Sequence, residues 1–255
     1  MRTPTSTNTP ALLCESCGYS LQGLESGVMN CSECGMPVAD SHPSRRPGSR
    51  WQRAPGPASW LLTHFDTLTS PRAQFRRLRI DPRGARMLLA TTLLMAGLIA
   101  SPAAGDLLIP RGLVTAPVAK NLLAACAVAL VLRGLTWIEH HGIRFMAARR
   151  GWRLTTDAAA QVCAHASIGW VIGPAAMTWL LSESRFDRWS AAFPDWWKIE
   201  PLGVIPLGAQ SDRFAGLGLS LLAGMILFEV LVYAGVRRCR WANPPGSAVA
   251  TRHTL

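Results

Sequence analysis

Four cysteines near the start of the chain have the spacing of metal ligands. The sequence CESCG begins at Cys14 and CSECG begins at Cys31, with thirteen residues between Cys17 and Cys31. In each unit the two-residue gap lets both thiolates reach one ion from a tight turn. Structural Zn²⁺ sites have four tetrahedral ligands, and four cysteines are a common set. The spacing therefore predicts a Zn²⁺ site ligated by Cys14, Cys17, Cys31 and Cys34, with iron in a rubredoxin-like site as the alternative.

The residues between the ligands favour a small, closed module. Gly18 and Gly35 each follow the second cysteine of a unit, and glycine tolerates the positive φ that such turns often require. The thirteen residues 18–30 suit a short hairpin between the two units. Because all four positions are cysteines, the ion has no open position for a substrate. We expect a structural metal that supplies folding energy to residues 13–38.

The same stretch resembles a known type of protein. CESCGYSLQGL followed by NCSECGMPV is similar to the zinc-ribbon head of many bacterial membrane proteins of unassigned function. In that pattern a CxxCGY-x-L-x-GL segment leads into CPxCG, and Ser32 takes the place of the usual proline. The resemblance covers residues 13–38 and implies that the four cysteines are the ligands of a zinc ribbon.

Composition places the rest of the chain in a membrane. Of its 255 residues, 49% are hydrophobic and 16% are charged, whereas soluble proteins have about 25% charged residues. The other three cysteines do not suggest a secreted disulfide framework: they are Cys126, Cys163 and Cys239. The start, MRTPTSTNTPALL, has no apolar core typical of a signal peptide. We expect the front of the chain to stay in a reducing cytoplasm.

Changes in composition predict the domain boundaries. We expect residues 1–12 to be disordered, 13–38 to form the ribbon, and 239–255 to form a cytoplasmic tail. Residues 39–58 are rich in Pro, Ser, Gly and Arg and predict a flexible basic linker. Residues 59–86 alternate apolar anchors with arginine, as in a helix at the lipid headgroup level. The anchors that could share one helical face are Trp60, Leu61, Phe65 and Leu68, and the alternative is an ordinary surface helix.

Four long apolar segments predict an all-α polytopic membrane domain over residues 87–238. A helix needs about 20 apolar residues to cross the hydrocarbon core of a bilayer. The four predicted transmembrane helices cover residues 87–105, 113–138, 158–182 and 214–236. The lead-in SPRAQFRRLRID, followed by several spans, is similar to Yip1-like membrane domains. That resemblance implies a small helical domain without known chemistry, usually with five spans where four are predicted here.

Charge predicts the orientation. Cytoplasmic flanks of membrane helices collect Lys and Arg. With four spans, the segments on the side of both chain ends carry twenty basic residues, and the opposite side carries six. This asymmetry predicts cytoplasmic N- and C-termini, and the resemblance to bacterial zinc-ribbon proteins implies the inner membrane of a bacterium. The outer loop 183–213 has Trp189, Trp196 and Trp197, which predict a loop resting on the outer face or, alternatively, an outer ligand site.

Three ionisable residues stand out within the predicted spans, where charge is costly and suggests a function. Arg133, His165 and Glu229 all fall roughly 8–11 Å from the cytoplasmic side, given a rise of about 1.5 Å per residue. We expect Glu229 to pair with Arg133 or His165. The pairing predicts either a contact that fixes helix packing or a proton or ion pathway. Glu139, His140 and His141 are expected to form an interfacial polar patch rather than a metal site. Adjacent helical histidines point about 100° apart, which is poor for sharing one ion.

The sequence predicts a protein that is not an enzyme. It contains no GxSxG, Walker A, HExxH or GxGxxG motif. The leading interpretation is a cytoplasmic structural zinc ribbon that recruits a protein partner or scaffolds an assembly at the lipid bilayer. The alternative is a small transporter or channel that uses Glu229, His165 and Arg133. Nucleic-acid binding is disfavoured because residues 13–38 contain three glutamates and no Lys or Arg.

Overall fold

The computed structural model describes residues 11–22, 24, 28–109, 113–114, 116–180 and 208–247. Two 3₁₀ turns, Val38–Ser41 and Pro43–Arg45, follow the cysteine region. Eight α-helices then follow in the described part of the chain: α1 Arg50–Arg53, α2 Pro57–Thr69, α3 Pro71–Arg77, α4 Pro82–Leu108, α5 Pro117–Arg149, α6 Thr156–Ala166, α7 Gly169–Leu180 and α8 Gly208–Cys239. The described residues contain only isolated β-bridges and no extended strand.

The chain divides into two compact units. Unit 1 contains residues 1–88, 138–166 and 231–255, and unit 2 contains residues 89–137 and 167–230. The first turns of α4 and the last turns of α5 and α8 belong to unit 1, whereas the remaining part of each helix belongs to unit 2. The ribbon, α1, α2, α3 and α6 are parts of unit 1, and α7 is part of unit 2.

Three of the described helices are long and apolar enough to cross a membrane. These candidate spans are Pro82–Gly105 in α4, Pro117–Arg149 in α5 and Gly218–Cys239 in α8. They agree with the predicted spans 87–105, 113–138 and 214–236, and α8 begins earlier than predicted. The protein is therefore a helical, membrane-type protein by the length and composition of its helices.

The predicted span 158–182 differs from the structure. The segment contains two shorter helices, α6 and α7, separated by a turn at Ser167 and Ile168. The side chains of α6 from Val162 to Ala166 are buried inside unit 1. A continuous apolar run looks the same in sequence whether its residues face lipid or a protein interior, and this run is interrupted. Residues 181 and 182 lie outside the described part.

The interior of unit 2 depends on close helix contacts. Trp170 on α7 is buried, stacks on Phe228 with 4.7 Å between ring centroids, and donates its indole N–H to Thr136 Oγ1 at 3.0 Å. Gly169 on α7 faces Gly224 on α8, where a Cβ added to Gly169 would lie 2.7 Å from the Gly224 carbonyl oxygen. Small residues at such positions let helix backbones approach closely.

Unit 1 has a more polar interior, and the predicted flexible linker is part of it. Residues 39–58 include both 3₁₀ turns and α1, and they bury Arg46, Ser49 and Trp51 to 5% exposure or less. A capping box begins α1: Ser49 accepts from the Gln52 N–H, and the Gln52 side chain accepts from the Ser49 N–H. Trp51 donates its indole N–H to the Gly84 carbonyl at 3.2 Å. Composition alone could not reveal these long-range partners.

Candidate metal centre

The two cysteine units fold into the same turn. In the first, Gly18 N–H donates to the Cys14 carbonyl and Cys14 N–H donates to the Tyr19 carbonyl, both at 2.8 Å. In the second, Gly35 and Cys31 repeat these bonds at 2.9 and 2.7 Å, with Met36 in the place of Tyr19. One isolated bridge closes each turn, Leu13 with Ser20 and Asn30 with Pro37. Each unit is therefore a small hairpin-like knuckle of its own.

The predicted backbone of both glycines is confirmed. Gly18 has a φ of 84° and Gly35 a φ of 71°, in the left-handed region that a side chain disfavours. The predicted hairpin between the units falls partly on residues 23 and 25–27, which lie outside the described residues. In each unit the positive φ of the glycine reverses the direction of the chain directly after the second cysteine. Both thiols of the unit therefore point to the same side.

The four thiols converge on one point. Their sulfur atoms all lie within 4.8 Å of one another, and Cys14, Cys17, Cys31 and Cys34 form the one such cluster among the described residues. The Sγ atoms of Cys14 and Cys34 are 3.5 Å apart, and those of Cys17 and Cys31 are 3.7 Å apart. Four sulfurs at about 2.3 Å from a tetrahedral Zn²⁺ lie about 3.8 Å from each other. The cluster therefore has the size and ligand set of a four-thiolate metal site.

Burial and hydrogen bonding make the four thiols unequal. Cys14 and Cys31 are buried in a small core with Leu12 and Leu21, whereas Cys17 and Cys34 are exposed. Burial raises the pKa of the Cys14 thiol. The backbone N–H of Met36 stabilises the Cys34 thiolate and lowers the pKa of that residue to about 7. A divalent cation would offset the repulsion that four adjacent thiolates otherwise create.

The geometry favours a structural role for a metal bound here. A tetrahedral ion held by all four cysteines would have no coordination position left for water or substrate. The surrounding core is small: besides two cysteines it has only Leu12 and Leu21 among its buried members in the described part of the ribbon. So small a core contributes little, and a bound metal can supply much of the missing folding free energy.

No family model matches the chain, and neither a curated protein nor a solved structure does. The assignment of the cysteine cluster therefore depends on its geometry: the repeated knuckle, the two positive φ values and the sulfur distances. The resemblance to zinc-ribbon heads and to Yip1-like domains stays a prediction.

A buried ion pair attaches the ribbon to the rest of unit 1. Glu15, between two metal ligands, accepts three hydrogen bonds from Arg46 at 2.8–3.0 Å. The two side chains are only 14% and 6% exposed. Arg46 also donates to the Leu78 carbonyl at 3.0 Å, which continues the contact to the end of α3. The arginine thus bridges the ribbon and the helical part of the unit.

Asn243 and Arg153 provide a second attachment. The Asn243 side chain accepts from the Leu13 N–H at 3.0 Å and donates to the Leu13 and Ser41 carbonyls, each at 2.8 Å. Arg153 donates to Asn243 Oδ1 and to the Ala11 carbonyl, both at 2.6 Å. Three segments that are far apart in sequence therefore meet at the first knuckle.

Gly18, in the turn of the first knuckle, packs against the C-terminal segment. A Cβ built on Gly18 would lie 2.5 Å from the indole of Trp241, so this ring occupies the space that a side chain would need. Arg240 donates to the Ser16 carbonyl at 3.4 Å. In the predicted cytoplasmic tail, Arg240, Trp241 and Asn243 thus contact the ribbon, whereas residues 248–255 lie outside the described residues. Leu12, predicted to be disordered, is buried. Residues 1–10 lie outside the described residues.

The residues that attach the ribbon to the rest of unit 1 were not predicted from the sequence. Arg46 and Asn243 each have a residue type that occurs equally on exposed surfaces, and their partners are 31 and 230 positions away. No local pattern marks them. Burial of Arg46, at 5% exposure, is the property that distinguishes it from its neighbour Arg45, and burial is visible only in the fold.

His165 has partners other than those predicted. Its Nδ1–H donates to the Gln161 carbonyl at 2.9 Å, and its Nε2 accepts from the Ser49 hydroxyl at 3.1 Å. Both ring nitrogens are thus used, and the buried ring connects α6 to the start of α1. The pairing of Glu229 with Arg133 or His165 stays a prediction.

Arg133 and Glu229 are exposed residues of α5 and α8 in unit 2. Within the described residues neither side chain forms an ion pair. In the predicted polar patch, the His140 and His141 rings lie edge to face at 5.0 Å, and His140 Nε2 is 3.1 Å from the Thr156 carbonyl oxygen. The described part of the chain does not combine these residues with Glu139 into a metal-type cluster.

Proposed function

We propose that the chain is a multi-pass protein of the bacterial inner membrane whose cytoplasmic, structural zinc ribbon recruits or scaffolds a protein partner. One observation supports this most strongly. The four-thiol ribbon is packed into the same compact unit that contains one end of each candidate span. The ribbon surface is thereby held at a fixed place beside the ends of the membrane helices, rather than on a flexible tether.

Chain connectivity supports a fourth crossing. The start of α4 and the ends of α5 and α8 belong to unit 1, together with both described chain ends. If all three candidate spans cross the bilayer, only an even number of crossings leaves both chain ends on one side. This supports four crossings, as the sequence predicts.

The charge distribution supports a cytoplasmic unit 1. Its residues carry most of the arginines, whereas the parts of α4 and α8 in unit 2 are nearly free of charge. Cytoplasmic flanks of membrane helices collect such residues. The same orientation keeps the four thiols in the reducing compartment, where free thiols and zinc sites persist.

The helix α2 supports an interfacial position for part of residues 59–86. Its polar residues Thr63, His64 and Thr67 are buried, whereas its large apolar residues face outward. The exposed apolar residues are Leu61, Leu62, Phe65 and Leu68, with exposed fractions from 38% to 62%. A helix that buries its polar face in protein and turns its apolar face outward fits the headgroup–acyl boundary. The segment predicted over residues 59–86 thus consists of α2, α3 and the first turn of α4.

The ribbon offers a surface for a protein partner. Met29 is 80% exposed, and Val28 and Tyr19 are each about 40% exposed, so apolar side chains lie on the outside of an otherwise polar module. Aromatic residues and methionine are enriched in protein interfaces. Nucleic acid is a poor partner, because residues 13–38 contain no Lys or Arg to contact phosphates.

The metal and its role can be tested on the full-length protein in detergent. We expect one zinc per chain by elemental analysis, and a Cys31→Ser/Cys34→Ser variant that retains none. A Cys126→Ser variant is the matched control, since Cys126 is an exposed cysteine outside the ribbon. An iron site would instead give a coloured protein and one iron per chain.

Recruitment is tested by co-purification from native membranes. A companion protein that is retained by the wild type and by Cys126→Ser, but lost from Cys31→Ser/Cys34→Ser, supports recruitment by the ribbon. The same companions in all three samples would contradict it. Recovery of the untagged chain in the supernatant after ultracentrifugation without detergent would contradict the membrane assignment itself.

A further inference from the structure

Five arginines gather at one place in unit 1. Arg72 and Arg76 lie on α3, Arg237 and Arg238 end α8, and Arg240 follows that helix. The positive charges of the other four all act on Arg238. None of the five forms an ion pair within the residues that the structure describes. We call this group the arginine cluster.

The fold creates the cluster from segments about 160 residues apart. Phe75 is completely buried and packs against Gly235, where an added Cβ would lie 2.8 Å from the phenylalanine ring. The Cys239 thiol donates to the Phe75 carbonyl oxygen at 3.6 Å. These contacts hold α3 against the last turns of α8. Because Arg72 and Arg76 are four residues apart, they lie on the same face of α3.

Two of the five arginines are held in place by aromatic rings. The guanidinium of Arg237 lies 5.7 Å above the ring of Tyr233, and that of Arg240 lies 5.7 Å above the ring of Trp152. Arg240 also donates to the Ser16 carbonyl. Such stacking restricts a guanidinium while leaving its N–H groups available to an anion.

Local helix electrostatics explain only part of this concentration of positive charge. The carbonyl end of α8 attracts cations, which accounts for Arg237 and Arg238. Arg72 is in the first turn of α3, where the helix dipole disfavours a positive charge. Five cations without a carboxylate repel one another, and an anion bound among them would reverse that repulsion. Guanidinium groups bind phosphate with parallel N–H···O hydrogen bonds.

We propose that the arginine cluster binds the phosphodiester headgroup of an anionic phospholipid. The cluster includes the last charged residues of the candidate span Gly218–Cys239, where the hydrocarbon core gives way to headgroups. Exposed Tyr233, one turn earlier, has the amphipathic ring that is common at that boundary. Basic groups at the cytoplasmic end of membrane helices attract anionic lipids. The proposal rests on the membrane placement proposed above.

The test uses full-length protein in neutral detergent and two lipids with the same acyl chains, phosphatidylglycerol and phosphatidylcholine. Binding is followed with a fluorescent lipid and by lipid retention in native mass spectrometry. We expect the wild type to prefer phosphatidylglycerol. The variant Arg72→Gln/Arg76→Gln/Arg238→Gln should bind it about a hundredfold more weakly, since each arginine near an anionic surface contributes about a factor of five.

The matched control removes three exposed arginines of unit 1 that lie outside the candidate spans and outside residues 59–86: Arg45→Gln/Arg50→Gln/Arg53→Gln. It should keep the preference to within about threefold. An equal loss in both variants, or no preference in the wild type, would overturn the proposal. Inorganic phosphate should compete poorly, because it lacks acyl chains, and competition as effective as that of the lipid would overturn the lipid assignment. If the protein stays in the membrane fraction, these failures leave the proposed function intact.

Discussion

The buried interior of unit 1 is rich in polar side chains, whereas that of unit 2 has few. Among the described residues, eleven buried polar or charged side chains belong to unit 1 and five to unit 2. Those of unit 1 include Arg46, His64 and His165, which are ionisable, and those of unit 2 are serines and threonines. Unit 1 contains the four-cysteine cluster and is held by an ion pair and directed hydrogen bonds. Unit 2 is held by close backbone packing.

The difference fits the proposed membrane placement. In lipid, apolar burial gives helices little reason to associate, so small residues and close packing must hold the helices together. The 26-residue ribbon has too little apolar area to fold on its own and needs other attachments. Changes to the metal site and the ion pair should therefore act on unit 1, whereas changes to glycines of α7 and α8 should act on unit 2.

Removal of the metal should have the largest effect. Structural zinc contributes about 10–16 kcal/mol of apparent binding free energy in small ribbon-like peptides. We expect Cys31→Ser/Cys34→Ser to abolish amide protection in the ribbon and to expose Trp241, while α4, α5 and α8 keep their helical circular dichroism. Hydrogen exchange with mass spectrometry measures the amide protection, and circular dichroism measures the helical signal. Loss of helical signal to the same degree as ribbon protection would show that the units do not differ as described.

Breaking the buried ion pair should come next. Glu15→Ala leaves the guanidinium of Arg46 buried without its carboxylate, which costs about 3–5 kcal/mol of unit 1 stability. The exposed pair Arg45–Asp40, at 3.8 Å, is the control, and Asp40→Ala should cost less than about 1 kcal/mol. Denaturant unfolding measures each value. An apolar double variant, Glu15→Leu/Arg46→Met, should lose less than Glu15→Ala, and a larger loss would contradict the charge argument.

A single methyl group should destabilise unit 2. A Cβ on Gly224 would lie 2.7 Å from the backbone carbonyl oxygen of Gly169, so Gly224→Ala should cost about 1–3 kcal/mol by overpacking. Gly134→Ala and Gly218→Ala have open space and should be neutral or stabilise their helices by about 0.5–1 kcal/mol. Thermal unfolding monitored by circular dichroism distinguishes these outcomes. Equal effects at all three glycines would argue against close packing of α7 on α8.

Acid should weaken unit 1 through its buried histidines. Burial lowers the pKa of His64 to about 3 and that of His165 to about 4, whereas both titrate near 6.5 when unfolded. The unfolded state therefore binds more protons as the pH falls, and stability falls with it below about pH 6.5. Each histidine should cost about 1.4 kcal/mol between pH 7.5 and 5.5.

This pH effect has its own control. Metal content is measured at both pH values, because protons also compete for thiolate ligands. His64→Gln should remove about half of the pH dependence when the metal is retained. Undiminished dependence in that variant would assign the effect to other groups.

Local chemistry was predictable from the sequence. The ligands, their closed arrangement and the turns at Gly18 and Gly35 depend on residues within a few positions of one another. Three candidate spans were equally predictable, because length and hydropathy are properties of a single segment. Each of these predictions needed no knowledge of which segments meet.

Long-range contacts were not predictable. The composition of residues 39–58 predicts flexibility, but Trp51 and Arg46 find partners in α2, α3 and the ribbon. The run 158–182 predicts one span, but its first half is buried in unit 1. In both cases tertiary packing overrides a segment's own preference, and no single segment contains that information.

Hydrogen exchange along residues 13–58 in the metal-loaded, full-length protein tests the docked ribbon most directly. Gly48 donates its N–H to the Arg77 carbonyl at 2.8 Å, and the N–H groups of Trp51 and Leu13 are bonded to Thr63 and Asn243. We predict that these three amides exchange at least about a hundredfold more slowly than unstructured ones. If all three amides exchange at unstructured rates while the metal is still bound, the ribbon is not docked on unit 1. The interpretation as a freely tethered ribbon would then be correct.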